Sequence, residues 1–239
     1  MPDHIASAFD RDLEGIQAQI MKMGGLVEQA ILDAAQALET SDEELSEKVR
    51  VGDKVVDGLD ELIHEEAARV IALRAPTAID LRVILSVMKI SSDLERVGDL
   101  AKNMAKRNSV LMQLTNIGGA TSALRRMARE VELMLKDALD AYIQRDAALA
   151  KDVILRDRDV DQMYNATFRE FLTFMMEDPR NITACMHLHF IAKNIERMGD
   201  HVTSVAEQVI FLVEGELPEP REKGDNTSVD KSLSPEARV

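Results

Sequence analysis

The sequence predicts an all-α protein of two tandem three-helix bundles related by an internal repeat, followed by a disordered tail. Three observations predict this. Apolar residues recur at steps of three and four along most of the chain, the spacing of one helix face. Helix breakers are sparse, and Pro76, Gly118, Gly119 and Pro179 fall between periodic stretches. A five-residue pattern also occurs twice. Glu95-Arg96-Val97-Gly98-Asp99 returns 101 positions later as Glu196-Arg197-Met198-Gly199-Asp200, and Asp53 and Asp57 return 104 positions later as Asp157 and Asp161.

The first helix carries the stripe Ile16, Ile20, Met23, Val27, Ala30, Ile31, Ala34 and Leu38. Ser41-x-x-Glu44 has the form of a capping box and predicts the start of the second helix. That helix runs through Asp53 and Asp57 to about Leu73. Ala75-Pro76 ends it, because proline lacks the backbone donor and clashes with the preceding turn. A third helix starts at Thr77 and carries Glu95 and Asp99. Ile117-Gly118-Gly119 marks the midpoint. The order then repeats: a helix over Ser122–Arg145, one carrying Asp157 and Asp161, a break at Asp178-Pro179, and one carrying Glu196 and Asp200. The expected units are 1–115, 120–215 and a tail, 216–239, that is rich in Pro, Glu, Lys, Ser and Asp and poor in large apolar residues.

Composition narrows the function. Aromatic residues make up 3% of a chain that is 46% hydrophobic, so aliphatic side chains and Met must fill the core. A net charge of −14 disfavours nucleic acid or an anionic membrane surface as a primary partner. One cysteine, Cys185, excludes an intramolecular disulfide and a thiolate zinc cage. The opening Met1-Pro2-Asp3-His4 is unlike a signal peptide, and no stretch approaches a membrane span, so the expected location is the cytoplasm.

Each acidic pair steps by four, so its two carboxylates share one helix face. Asp57 and Glu95 lie 19 residues before and after Pro76, and Asp53 and Asp99 lie 23 before and after it. In an antiparallel hairpin the two pairs then stand level, about 28 Å from the turn. In the second half, Asp161 and Glu196 lie 18 and 17 residues from Pro179, and Asp157 and Asp200 lie 22 and 21 away. Glu95 continues a column of Ser91, Met88 and Ile84, and Asp161 one of Tyr164 and Phe168, so the acids face packed surface. Carboxylates gathered at a helix contact need a cation, a protonation or a basic side chain. An all-oxygen set favours a hard ion: Mg²⁺, Mn²⁺, Ca²⁺ or oxidised iron. The alternative is a salt-bridged polar layer with Arg96 and Arg197 as its cations. Gly98 and Gly199, beside the carboxylates in both copies, suit close helix approach.

At these residues the chain resembles the PhoU family of phosphate-transport regulators. The resemblance spans about residues 4–215. It includes His4…Phe9-Asp10, Met23-Gly24-Gly25-Leu26-Val27-Glu28, Ala78-Ile79-Asp80-Leu81-Arg82, and Lys89-Ile90-Ser91-Ser92-Asp93-Leu94 leading into the first acidic motif. It also takes in Asn194-Ile195 before the second motif and His201 after it. The resemblance implies two three-helix bundles with metal clusters at the acidic pairs. The ligands it implies are Asp53, Asp57, Glu95, Asp99 and Asn103 in the first half, and Asp157, Asp161, Glu196 and Asp200 in the second. It departs from the family pattern at Ser204, the counterpart of Asn103, and at Asn194, the counterpart of Asp93. The implied function is a cytoplasmic negative regulator of phosphate uptake and starvation signalling. Its implied partners are the ATPase subunit of the phosphate ABC transporter and a sensor histidine kinase, reached peripherally at the inner membrane. A homodimer is implied as well, with no catalytic residue of its own.

Other residues read more plainly. Glu61-x-x-His64 has the spacing of a di-iron ligand motif, but its repeat positions are Asn165 and Phe168, so the second half of such a site is missing. His189 and Cys185 read as packing residues, and His187 and His201 as surface residues. No phosphate-binding loop or nucleophile elbow accompanies the acids, which disfavours a metal-dependent phosphohydrolase. A metal-free helical adaptor is the remaining alternative.

Overall fold

The computed structural model describes residues 2–114 and 117–219. Most of the expected tail, from 220 on, lies outside the described residues. Six helices are present among the described residues, and no strand: α1 Pro2–Thr40, α2 Glu43–Arg74, α3 Ile79–Leu111, α4 Ala120–Gln144, α5 Ala147–Glu177 and α6 Ile182–Glu214. A single 3-10 turn, Pro179–Asn181, joins α5 to α6.

The stripe expected on α1 is its buried face. Ile16, Ile20, Met23, Val27, Ile31, Ala34 and Leu38 are all in the core. Two boundaries differ from expectation. The α2 cap is Asp42, whose carboxylate accepts from the Leu45 backbone N–H at 2.9 Å, while Ser41 takes a left-handed φ of 54° in the two-residue turn. Asp42 stands three residues before the donor it caps, so the box starting at Ser41 is out of register by one. α3 begins at Ile79 rather than Thr77, because Ala75 and Ala78 both have positive φ and hold the intervening segment out of the helix.

Helices α1, α2 and α3 form one bundle and α4, α5 and α6 the other. The two share a continuous core, because they also pack on each other along α1–α4 and α3–α6. Both seams are antiparallel. Along α3, Arg82, Asp93 and Arg107 meet Phe211, His201 and His187 of α6 in reverse order. Along α1, the Cβ position of Gly24 meets Leu139, whereas Glu39 meets Ser122 and Arg125. The repeats are therefore related by a pseudo-twofold, and their hairpin tips point in opposite directions. Residues near 97 of α3 lie abreast of residues near 198 of α6, so the two acidic motifs stand at one height on either side of the seam.

The α1–α4 seam brings repeat-related glutamates toward each other. Burial first, then Glu132, pushes the Glu28 carboxyl above the usual range, with Lys136 opposing. A raised acid favours the folded state below its unfolded pKa and loses that contribution as pH rises through the folded pKa. Glu28→Gln is therefore expected to add about 0.5 kcal/mol, or ~1–2 °C in Tm, at pH 7. The gain should vanish below about pH 4. Thermal melts across pH check it, and a gain that persists in acid would contradict this origin.

Candidate functional site

The hairpin arithmetic holds in the first half. Lys102, one turn beyond Asp99, places its ammonium against Asp53 Oδ2 and 2.9 Å from Asp99 Oδ1, so α2 and α3 meet at the expected height. Asp53 is 5% exposed, and Asp57, Glu95 and Asp99 are half-buried around it. Burial first, then Asp53, Asp99 and Glu61, raises the Asp57 carboxyl, with Lys102 opposing. Burial also raises Glu95. Arg96 counteracts this, and Asp99, Asp57 and Asp60 add to it. The four acids thus share one electrostatic environment. Asn103 is exposed on α3.

Gly98 gives α3 its close approach to α2. A Cβ there would stand 3.3 Å from Val56 and 3.6 Å from Asp53 Oδ1. Asp53 Oδ1 is itself buried and accepts no hydrogen bond. Next along the column, the buried Ser91 hydroxyl donates to Asp60 Oδ1 at 2.6 Å, and His64 Nδ1 lies 3.3 Å from the same oxygen.

The second half repeats the frame with different neighbours. Asp157 is buried and lies against Gly199, where a Cβ would come within 2.9 Å of its Oδ1. Glu196 is buried, and Lys193 Nζ lies 2.7 Å from its Oε2 as an ion pair rather than an aligned hydrogen bond. Asp161 and Asp200 are half-buried on α5 and α6. The counterpart of Lys102 is Thr203, whose hydroxyl donates to the Asp200 carbonyl at 2.7 Å. Tyr164 and Phe168, with ring centroids 5.9 and 5.1 Å from His189, replace Asp60 and His64 of the first half. Burial pushes His189 down, with Lys193 adding to it. His189 thus packs as expected, and Cys185 is a buried thiol.

Gly199→Ala is expected to cost about 1 kcal/mol net, the clash with Asp157 exceeding the gain in helix propensity of roughly 1 kcal/mol. Gly98→Ala, with its looser 3.3 Å contact, should come out near neutral. Urea denaturation of the two variants checks the order, and an equal cost would contradict it.

The seam gives Asp93, Ser204 and His201 a role that the sequence did not reveal. Asp93, 2% exposed, accepts from His201 Nδ1 at 3.0 Å, from Ser204 Oγ at 2.6 Å and from Lys89 Nζ at 3.1 Å. His201 is therefore a link between the bundles rather than a surface residue. His187, 3.5 Å from Arg107, also faces the seam and is only partly exposed. The antiparallel docking carries both faces onto α3. In this network the serine donates to the aspartate and not to the histidine, so it is no activated nucleophile.

An all-carboxylate donor set, an unpartnered buried oxygen on Asp53 and carboxyls on Asp57 and Glu95 raised by burial and neighbouring acids all fit a cation. Among the described residues, no three His, Cys, Asp or Glu side chains converge closely enough to ligate an ion as placed. In the first half the Lys102 ammonium holds the place between Asp53 and Asp99.

Comparison with known proteins decides the family. The model for the PhoU domain matches twice, at residues 20–107 and 124–209, one match per bundle. The chain belongs to the PhoU family. It is 44% identical over 216 residues to the "phosphate-specific transport system accessory protein PhoU homolog" of Caulobacter vibrioides, covering 90% of this chain and 94% of that one. The like-named protein of Rhizobium meliloti is 44% identical over 232 residues, 97% of this chain and 98% of its own. The crystal structure of PhoU from Pseudomonas aeruginosa superimposes with a TM-score of 0.84 at 38% identity, over 87% of this chain and all of that one. That of the phosphate transport system regulatory protein PhoU from Streptococcus pneumoniae gives 0.81 at 29% identity, over 89% of this chain and all of that one. The PhoU fold thus accounts for both bundles and their antiparallel docking. No described helix is long and apolar enough to cross a membrane.

Proposed function

We propose that this chain is a cytoplasmic accessory protein of phosphate transport that represses uptake and the starvation response when phosphate is plentiful. It acts by contact with the transporter's ATPase subunit and a sensor histidine kinase, as a homodimer and without an activity of its own. The observation that carries this reading is the double PhoU match together with relatives of nearly equal length named as phosphate-transport accessory proteins. Deletion in the source organism should raise phosphate uptake and a starvation reporter in phosphate-rich medium. Unchanged expression would overturn it.

The acidic clusters are the metal-binding element of the proposal. Asp53, Asp57, Glu95 and Asp99, with Asn103 one turn further along α3, would hold a hard cation in competition with Lys102, and Asp157, Asp161, Glu196 and Asp200 would hold one in the second half. Such an ion supplies positive charge that pins the two helices of each hairpin together. Elemental mass spectrometry of protein purified without chelator is expected to find about one or more equivalents per half. Asp57→Ala with Glu95→Ala should remove only the first-half share. Loss of both shares, or of neither, contradicts two sites.

A second reading, a metal-free adaptor, is favoured by Lys102, which already supplies a positive charge between Asp53 and Asp99. It predicts a melting temperature unchanged by chelator.

A further inference from the structure

In the first bundle α1 and α2 leave open a groove of about 140 Å³. Leu26, Ala30, Val49 and Val56 form its apolar walls, and Gly52 and Gly98 leave it unfilled. Its charged members are Asp33 and Lys48 together with Asp53. Asp53 Oδ2 is taken by Lys102, whereas Oδ1, beside Gly98, is buried and unpartnered. Asp33 accepts from Gln29 at 2.6 Å and from Lys48, whose side chain is 67% exposed.

The second bundle shows what this space accommodates. The counterpart of Gly52, 104 positions on, is Arg156. Its guanidinium lies between α4 and α5, with Nη1 2.6 Å from Asp137, the counterpart of Asp33. Nε stands 3.6 Å from Glu130, the counterpart of Leu26, and both Nε and Nη2 are shielded from solvent. One copy of the repeat therefore carries its own arginine in this position. The other keeps Asp33, has Leu26 and Lys48 where the second copy pairs Arg156 with Glu130 and Asp152, and replaces the arginine with glycine.

We infer that the groove at Gly52 receives an arginine side chain from a protein partner. The walls suit the methylene stem, and the guanidinium then meets Asp53 Oδ1 at the floor and Asp33 at the rim. Lys48 is the exposed member of its pair with the buried Asp33, so its ammonium can swing out to solvent while the guanidinium takes its place on the carboxylate. The net charge of −14 draws a basic partner toward this surface. The buried, unpartnered oxygen distinguishes the groove from a merely apolar cleft.

The test uses N-propylguanidinium titrated into the full chain, followed by amide NMR with chelator present. Failure here thus leaves the metal reading untouched. Saturable shifts at Gly52 and Gly98 in the millimolar range, without matching shifts at Arg156, are expected. Gly52→Arg should weaken that response at Gly98 at least tenfold while the fold persists, because a Cβ at Gly52 meets no atom within 4 Å. Gly52→Leu serves as a second filling variant. Equal shifts with n-propanol would mean an apolar cleft only and overturn the inference. Non-saturating shifts, or full binding by both filled variants, would overturn it too.

Discussion

Replacing Lys102 by Met is expected to destabilise the metal-free protein by about 3 kcal/mol, a fall of roughly 6–12 °C in Tm. Lys102 is the ion-pair partner of the buried Asp53. Hydrogen bonds to Asp53 and then Asp99 hold its ammonium protonated far above the usual lysine range. With the other Asp53 oxygen already unpartnered, loss of Lys102 strands a carboxylate that is only 5% exposed. Adding Asp53→Asn should restore most of the loss, because the stranded charge is then gone. If the cluster takes a cation, millimolar Mg²⁺ or Mn²⁺ should restore the single variant as well. A loss under about 1 kcal/mol would show that water already solvates Asp53 and that the pair matters little. The corresponding change in the second bundle, Thr203→Val, removes a hydroxyl that donates to the Asp200 carbonyl and should cost about 1 kcal/mol.

Asp93→Ala is expected to cost about 2–3 kcal/mol, read by urea denaturation with the slope monitored as well as the midpoint. Burial alone would raise this carboxyl, but hydrogen bonds from His201, Ser204 and Lys89 outweigh it and hold the group below its usual range. A depressed acid contributes stability above its unfolded pKa and loses it as pH falls through the folded value. The contribution is therefore present in full at neutral pH. Two of the three donors come from the other bundle, so their loss falls on the docking of the bundles rather than on either alone. A biphasic transition is expected, with one bundle opening before the other. Asp93→Ala with unchanged midpoint and slope would mean that the apolar seam suffices.

Much of this was legible in the sequence because helical rise is fixed. Counting outward from Pro76 places Asp53 level with Asp99, and the ion pairs of Lys102 bear that out. The cation itself was not legible. Arg96 is the cation the sequence suggests, yet its side chain is 62% exposed, with contacts of 3.4 and 3.8 Å at the edge of the cluster. Lys102 turns inward instead, and its spacing of three from Asp99 was the available signal. Arg197 is exposed on α6. Nor does periodicity within each helix reveal the antiparallel seams, since it reports which face is buried and not against what. One hint existed for His201: its repeat counterpart, Leu100, is a core residue. The starts of α2 and α3 differ from expectation by one or two residues, because turn conformation at Ser41 and Ala78 rather than residue type decides where those helices begin.

The pseudo-twofold has a consequence for how the two copies were free to diverge. In a dimer of separate identical chains, every substitution at the shared face appears twice, and a residue that suits one side must suit the other. Fusion into one polypeptide removes that constraint. The repeat counterparts Asp93 and Asn194, Lys102 and Thr203, and Gly52 and Arg156 differ in ways that an assembly of identical halves has no means of encoding. The docking of the halves is also unimolecular, so dilution that would separate a pair of free subunits leaves these halves together.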